Sequence, residues 1–136
     1  MIIIKGRTLV EGEVQGLSLI SLEPISFYGG VDAERGIVTE KGHPLEGKSI
    51  ANRILFFPYG KGSTVGSYVI YRLAKKGLAP KAIVNVKSEP ILIIGCILGS
   101  ITLVDNISFN LLKEIKNDVN VKIIAKKKEA IIVIEQ

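Results

Sequence analysis

The segment ILFFPYGKGSTVGS, residues 54–67, joins an apolar run to a glycine-rich turn and decides how the chain is interpreted. Its first four residues predict a buried strand, and the apolar spacing that follows predicts a helix over residues 68–77. The turn between them contains glycines, a lysine and two neighbouring hydroxyls. Backbone N–H groups in such a turn can face an anion, and a helix N-terminus adds partial positive charge there.

The chain before this segment predicts short strands joined by glycine-containing turns. Apolar runs that fit short strands occur at residues 2–4, 16–22, 25–28 and 37–39. The predicted strand that directly precedes the glycine-rich turn extends over residues 52–57. The first half of the chain therefore contributes strands and turns but no long helix.

The helix after the turn has recognisable ends. Ser63 or Thr64 can cap its N-terminus, and Gly77 suits the position just after its last turn. Helical spacing predicts an inward face formed by Val65, Tyr68, Val69, Arg72 and Leu73.

The second half of the chain predicts further strands and one more helix. Val- and Ile-rich runs at residues 82–86, 91–94 and 101–104 are typical of strands buried on both faces. Ser108 is the expected N-cap of a short helix, and strands are expected at residues 121–125 and 131–134. We therefore expect a single α/β domain over residues 1–136, a layered β/β/α arrangement with two helices rather than a Rossmann repeat.

Composition favours a folded, soluble, cytoplasmic protein. Apolar residues make up 47% of the 136 residues, which is enough to form a sizeable core. The N-terminus lacks the features of a signal peptide, and the apolar stretch 91–104 is too short to cross a membrane. The net charge is +5, but the basic residues form no stripe interleaved with aromatics. We therefore expect neither membrane nor nucleic-acid binding.

Single copies of cysteine and histidine restrict the chemistry of the chain. Cys96 lies among isoleucines and leucines, which predicts a buried, inert thiol and excludes an internal disulfide or a multi-cysteine metal site. His43 lies in a polar turn, where a surface position is expected. Lys126, Lys127 and Lys128 are expected to form a solvated hairpin turn. No metal site is expected on this chain.

The glycine-rich turn allows three interpretations. A Walker A loop requires Gly-Lys followed directly by Ser or Thr, but Gly62 follows Lys61 here. A structural turn needs the glycines for conformation and Ser63 as a helix cap. An active turn uses Gly62 for close approach of a ligand and Ser63 for its hydroxyl. Because no serine triad is evident, Ser63 would then act as a general base, stabilised as an alkoxide by turn N–H groups and Lys61.

Two further motifs accompany the turn at ordered spacing. SFYGGVD occupies residues 26–32, GHPLEGKSI occupies residues 42–50, and GKGSTVGS occupies residues 60–67. Together with residues 79–82 and 91–95, they resemble the small subunit of the aconitase X family over nearly the full chain. The resemblance implies the swivelling β/β/α domain of the aconitase superfamily, with layered sheets in a barrel-like core and few helices.

The resemblance also implies an activity. The family removes water from hydroxy acids, and its archaeal type converts (R)-5-phosphomevalonate to trans-anhydromevalonate 5-phosphate in a mevalonate route to isoprenoids. A separate large subunit is expected to carry a [4Fe-4S] cluster and most of the substrate site. This chain would be the small, hydro-lyase subunit of a heterodimer, bind no cofactor itself, and supply Ser63 as the proton acceptor.

The remaining motif residues have alternative roles. Gly29, Gly30 and Asp32 are expected to line the cleft facing the large subunit, although a plain turn explains Asp32 equally well. Lys61 and Gly62 are expected beside a substrate carboxylate or phosphate, unless Lys61 is simply solvated.

Thr64 and Ser67 would bond either the ligand or the helix backbone. Two other functions stay open. One is dehydration of another hydroxy acid such as cis-3-hydroxy-L-proline, and the other is a non-catalytic anion-binding module.

Overall fold

Seven strands form a closed barrel in the computed structural model, which describes all of residues 1–136. The strands are β1 (Ile2–Val10), β2 (Gly12–Ile20), β3 (Ile54–Phe57), β4 (Ala82–Asn85), β5 (Thr102–Asp105), β6 (Asn120–Ala125) and β7 (Glu129–Glu135). The helices are α1 (Phe27–Gly30), α2 (Gly66–Lys75), α3 (Pro90–Gly99) and α4 (Phe109–Glu114).

The barrel has a parallel half and an antiparallel half. Its strand order is β1-β5-β4-β3-β2-β6-β7, and the pairs from β2 through β3 and β4 to β5 are parallel. The other four pairs, β5–β1, β1–β7, β7–β6 and β6–β2, are antiparallel. Parallel strands need crossover connections, and α2 and α3 lie in the two that join β3 to β4 and β4 to β5.

The core consists of two apolar clusters on opposite faces of the parallel strands. Ile54 and Phe56 of β3 belong to the cluster that also contains the buried residues of β6 and β7. Leu55 and Phe57 belong to the cluster that contains buried residues of α2 and α3. All four side chains are fully buried, which explains why this strand has no polar alternation.

Several predicted elements are confirmed by the structure. The strands at residues 82–86, 101–104, 121–125 and 131–134 match β4 to β7, apart from small differences at their ends. Ser108 caps α4 by accepting a hydrogen bond from the backbone N–H of Asn110. Gly77 follows α2 with a φ of 72°, the left-handed conformation expected just beyond a helix end. The lysines at residues 126–128 lie in the β6–β7 turn.

The strand predicted at residues 91–94 is wrong, because these residues belong to α3. Pro90 occupies the first turn of this helix, and the Glu89 carboxylate accepts hydrogen bonds from Ile91 N and Leu92 N. These contacts fix a helix start that the continuous apolar run concealed. Together with α1, which was also not expected, α3 brings the number of helical segments to four instead of two.

The first half of the chain also differs from the prediction. The run at residues 2–4 is part of β1, which forms a long antiparallel pair with β7. Residues 16–20 of the run at 16–22 are part of β2, which forms a long antiparallel pair with β6. Residues 25–28 and 37–39 form no strands, since they make only isolated bridges. Residues 27–30 instead form α1, an irregular segment with non-helical angles at Tyr28 and Gly29.

The start of α2 was predicted incorrectly, and of its predicted inward face only Val69 and Leu73 are buried. The helix begins at Gly66 with Val65 at its N-cap, and no side chain caps it, so neither Ser63 nor Thr64 has that role. Gly66, Val69, Ile70 and Leu73 are the residues that it buries. Val65 and Tyr68, in contrast, are exposed. No helix of the structure has the length and apolar character needed to cross a membrane.

Candidate functional site

A pocket of about 150 Å³ lies beside the turn that follows β3. This position is beyond the carboxyl end of a parallel strand, where open α/β sheets commonly bind ligands. Three of its lining side chains are charged or carry a hydroxyl: Lys61, Ser63 and Glu89. The remaining lining residues are glycines and apolar residues, namely Gly60, Gly62, Gly66, Ile25, Phe27, Ile70, Ile91 and Leu92.

Backbone hydrogen bonds fix the first half of the turn. Ile25 N donates to Tyr59 O at 3.3 Å, and Lys61 N donates to Ile25 O at 3.0 Å. Gly62 follows with a φ of 100°, and a Cβ added there would lie 2.5 Å from Ser26 Oγ. Both the left-handed backbone and the close approach therefore require glycine at this position.

Ser63 is exposed at the mouth of the pocket. Its hydroxyl oxygen accepts a hydrogen bond from Val65 N at 3.1 Å. The backbone N–H groups of Gly62, Ser63 and Thr64 donate to no acceptor within the protein. Three consecutive unpaired N–H groups just before the N-terminus of α2 are therefore available to an anionic ligand or a serine alkoxide.

Lys61 pairs with an acidic residue that the sequence did not reveal. Its Nζ lies 3.4 Å from Glu40 Oε2, and both side chains remain partly exposed. A Cβ added at Gly30 would approach Glu40 Oε1 to 3.3 Å, so Gly30 leaves room for this carboxylate. An incoming anion can therefore compete with Glu40 for Lys61. The partners lie 21 positions apart in the sequence, and no sequence signal indicated this contact.

Glu89 brings a second carboxylate to the pocket. Its Oε2 accepts from Ile91 N at 3.0 Å and its Oε1 accepts from Leu92 N at 2.8 Å. A Cβ at Gly60 would lie 2.9 Å from Glu89 Oε1, so this glycine permits the close approach. A Glu-Pro pair ahead of an apolar run is a signal that could have indicated both the helix start and this residue.

The other residues predicted for the site do not line the pocket. Gly29 has a φ of 87° in α1, two positions after the lining residue Phe27. Thr64 is exposed in the turn, and Ser67 donates its hydroxyl to Ile91 O at 2.7 Å, which ties α2 to α3. Of the predicted residues, Lys61, Gly62 and Ser63 line the pocket together.

Asp32 stabilises its own turn. Its Oδ1 accepts from Glu34 N at 2.8 Å, and its Oδ2 accepts from Arg35 Nε at 2.8 Å. The hydrogen bond from Arg35 lowers the pKa of the Asp32 carboxyl below its usual value, with a further contribution from Glu34 N. These contacts agree with the turn role that the sequence left open for Asp32.

His43 is buried, which contradicts the surface position expected for it. Its Nδ1 accepts from Leu45 N at 3.0 Å, so the ring proton lies on Nε2, which donates to Pro24 O at 3.0 Å. The imidazole thereby joins the loop around residue 24 to the loop that carries Glu40. The polar sequence concealed this burial because the partners of His43 are backbone groups.

Cys96 is buried, as predicted. Burial raises the pKa of its thiol to about 12. No group of three or more His, Cys, Asp or Glu residues is arranged to hold a metal ion. A single protonated thiol does not fit an iron–sulfur cluster, which requires several thiolate ligands.

A buried polar network lies behind the pocket, at the ends of β3, β4 and β5. Asp105 accepts two hydrogen bonds from Arg7, each 2.8 Å long, and one from Ser88 N at 3.0 Å. Ser88 Oγ donates to Asn85 Oδ1, and Asn85 Nδ2 donates to Phe57 O. The network therefore connects the strand before the glycine-rich turn with the residue preceding Glu89.

Comparison with known proteins identifies the family. The family model described as the aconitase X swivel domain matches residues 3–134. Proteins named phosphomevalonate dehydratase small subunit are similar to this chain. The one from Methanosarcina acetivorans is 56% identical over 75% of this chain and 71% of its own length. The one from Methanocella arvoryzae is 50% identical over 84% of this chain and 86% of its own length.

Solved structures show the same fold. The crystal structure of Thermococcus kodakaraensis aconitase X in its holo-form matches with a TM-score of 0.90 and 44% identity, covering 98% of this chain and 99% of that chain. A solution NMR structure described as a UPF0107 protein matches with a TM-score of 0.88 and 39% identity, covering 99% of this chain and 100% of that chain. These matches confirm the swivel-domain fold expected from the sequence.

Proposed function

The chain belongs to the aconitase X swivel-domain family, and we propose that it is the small subunit of a dehydratase that acts on (R)-5-phosphomevalonate. The proposed product is trans-anhydromevalonate 5-phosphate, an intermediate of isoprenoid synthesis. Relatives at about 50% identity that are named phosphomevalonate dehydratase small subunit support this choice of substrate. The cytoplasmic location expected from the sequence stays a prediction.

Ser63 is the proposed proton acceptor. The observation that supports this role is its exposed hydroxyl at the mouth of a pocket, beside three unpaired backbone N–H groups and Lys61. Dehydration requires a base for the proton on the carbon next to the departing hydroxyl. A neutral serine is a weak base, so it must first become an alkoxide. The hydrogen bond from Val65 N favours that charged form, as does a nearby ammonium group.

In the proposed reaction this chain removes the carbon-bound proton, and the partner subunit assists the departure of the hydroxyl group. The Ser63 alkoxide takes the carbon-bound proton and becomes a neutral hydroxyl, while the electron pair of the C–H bond forms the new double bond. The hydroxyl group on the adjacent carbon leaves as hydroxide. The proton held by Ser63 then passes to this hydroxide, which forms water and regenerates the alkoxide. We assign departure of that group to the partner subunit, because no residues of this chain are arranged to hold a metal or cluster.

The pocket also suits the anionic parts of the proposed substrate. A phosphorylated hydroxy acid carries a carboxylate and a phosphate, and Lys61 with the unpaired N–H groups can bind one of them. Glu89 repels anions from the other side of the pocket and can accept a hydrogen bond from a hydroxyl. The partner is proposed to be a large subunit with a [4Fe-4S] cluster, which would form a heterodimer with this chain.

Reconstitution with the cognate large subunit tests the proposal. The chain alone should be inactive, and the mixture should dehydrate (R)-5-phosphomevalonate. Ser63→Ala should abolish turnover. Ser49→Ala is a matched control, because Ser49 Oγ accepts from Ala51 N at 3.2 Å, as Ser63 accepts from Val65 N, but it lies outside the pocket. Turnover of cis-3-hydroxy-L-proline instead of the phosphorylated substrate would overturn the substrate assignment.

A further inference from the structure

α3 is an unusually apolar surface helix. Its ten residues, Pro90–Gly99, include no charged side chain, although 23% of the whole chain is charged. Three of its large apolar side chains are strongly exposed: Ile94 at 49%, Ile97 at 57% and Leu98 at 57%. We call these three residues the α3 stripe. A helix that is hydrophobic all round is normally buried, so the exposed side of α3 lacks a cover.

The opposite side of α3 packs closely on α2. A Cβ added at Gly95 would lie 2.9 Å from Ile70 Cδ1, and one added at Gly99 would lie 2.9 Å from Ala74 Cβ. The two glycines are four residues apart and therefore lie on one face. Internal packing thus accounts for that face of α3. It leaves the α3 stripe unexplained.

The α3 stripe is continuous with the Ser63 pocket. Ile91 lines the pocket, and Ile94 and Leu98 follow it at the i+3 and i+7 spacing that places residues on one helix face. The stripe therefore runs from the mouth of the pocket along the full length of the helix. Two exposed tyrosines neighbour the lining residues in the sequence: Tyr28 follows Phe27, and Tyr59 precedes Gly60.

We propose that the α3 stripe is the apolar anchor by which the large subunit docks on this chain, with Tyr28 and Tyr59 as further contacts beside the pocket. The inference rests on the proposed function, which requires a second protein over the pocket. Apolar and aromatic residues with few charges are typical of the centre of protein interfaces. A second copy of this chain would bring no metal donors to Ser63, so it would not complete the site.

The partner surface that fits the stripe is an apolar, uncharged groove or helix face. It must extend about 10 Å beyond the pocket, because seven residues of helix separate Ile91 from Leu98. Docking along the stripe would also close the mouth of the pocket over Ser63. The cover would exclude water from the alkoxide and strengthen the hydrogen bonds that stabilise it.

The affinity of the two purified subunits tests the proposal. The double variant Ile94→Lys, Leu98→Lys keeps good helix formers on an exposed face and should leave the fold intact, as checked by circular dichroism and melting temperature. Its dissociation constant for the cognate large subunit should rise at least about thirtyfold. Ile3→Lys is the matched control, because Ile3 is 64% exposed in β1 and does not adjoin the pocket. Its affinity should be unchanged.

Each result either supports or overturns the proposal. Native affinity in the folded double variant would overturn it. Self-association of the native chain that disappears in the double variant, with unchanged affinity for the large subunit, would also overturn it and identify a second copy as the occupant. A complex that assembles through the stripe but dehydrates no hydroxy acid would support the docking surface and reject the proposed function instead.

Discussion

Asp105 is expected to stabilise both the barrel and the pocket. Its side chain is 1% exposed and accepts hydrogen bonds from Arg7 and from the backbone N–H of Ser88. Asp105→Ala removes the acceptor for all of these donors at once. The change reaches the pocket because Ser88 immediately precedes Glu89, whose carboxylate caps α3 and lines the site.

The expected loss of stability follows from the exposure of each partner. The Ser88 N–H stays buried without an acceptor, which costs about 1–3 kcal/mol. The Arg7 side chain is 54% exposed, so water can solvate its freed guanidinium, and the lost ion pair contributes only about 1 kcal/mol. The total of about 2–4 kcal/mol corresponds to a fall in melting temperature of roughly 7–14 °C for a chain of this length.

Thermal unfolding followed by circular dichroism measures this loss. Asp118→Ala is the matched control, because Asp118 also pairs with an arginine, Arg53, at 2.6 Å but is 69% exposed. Its melting temperature should fall by no more than about 3 °C, since exposed ion pairs contribute about 1 kcal/mol or less. Equal falls in melting temperature in the two variants would refute the argument that the burial of Asp105 and the unpaired N–H of Ser88 determine the loss of stability.

Three other predictions concern single residues. Gly62→Ala should lower the free energy of unfolding by about 1–3 kcal/mol and reduce turnover of the complex, because Gly62 has a positive φ and an added Cβ would contact Ser26 Oγ. Unchanged values in denaturant titration and activity assays would contradict this. His43→Ala should cost about 2–4 kcal/mol in the same titration, since Leu45 N loses its acceptor, whereas a loss below about 0.5 kcal/mol would show that the imidazole does not hold the two loops. The Cys96 thiol, with a pKa of about 12, should resist iodoacetamide at pH 8 in the native chain and react in denaturant; rapid native labelling, followed by mass spectrometry, would disprove its burial.

The strands were predicted well from the sequence where one or both of their faces are buried, because burial produces a regular apolar pattern. β3, β4 and β5 are nearly continuous apolar runs because their alternate side chains enter two different core clusters. The same pattern misled at residues 91–94, since α3 is apolar on its exposed face as well as on its packed face. Periodicity cannot distinguish a strand from a helix when both faces are apolar.

The pocket was predicted only in part, because only some of its residues lie close together in the sequence. Lys61, Gly62 and Ser63 come from a contiguous turn, and the sequence placed them together. Glu40 reaches Lys61, and Glu89 reaches the pocket, through packing of separate parts of the chain. The Glu89-Pro90 pair signals a helix start, but no spacing in the sequence shows that either carboxylate lies near the turn. The cap role considered for Ser63 failed because α2 starts at Gly66, two residues later than a cap at Ser63 would place it.

The single-turnover rate of the Ser63→Ala complex tests the central proposal most directly. The measurement uses saturating large subunit, so that differences in assembly do not enter, and substrate binding is measured in parallel. If Ser63 is the proton acceptor, the rate should fall by about 10²–10⁴-fold while the substrate dissociation constant stays nearly unchanged. A rate within about tenfold of the native complex would contradict the assignment of Ser63 as the base.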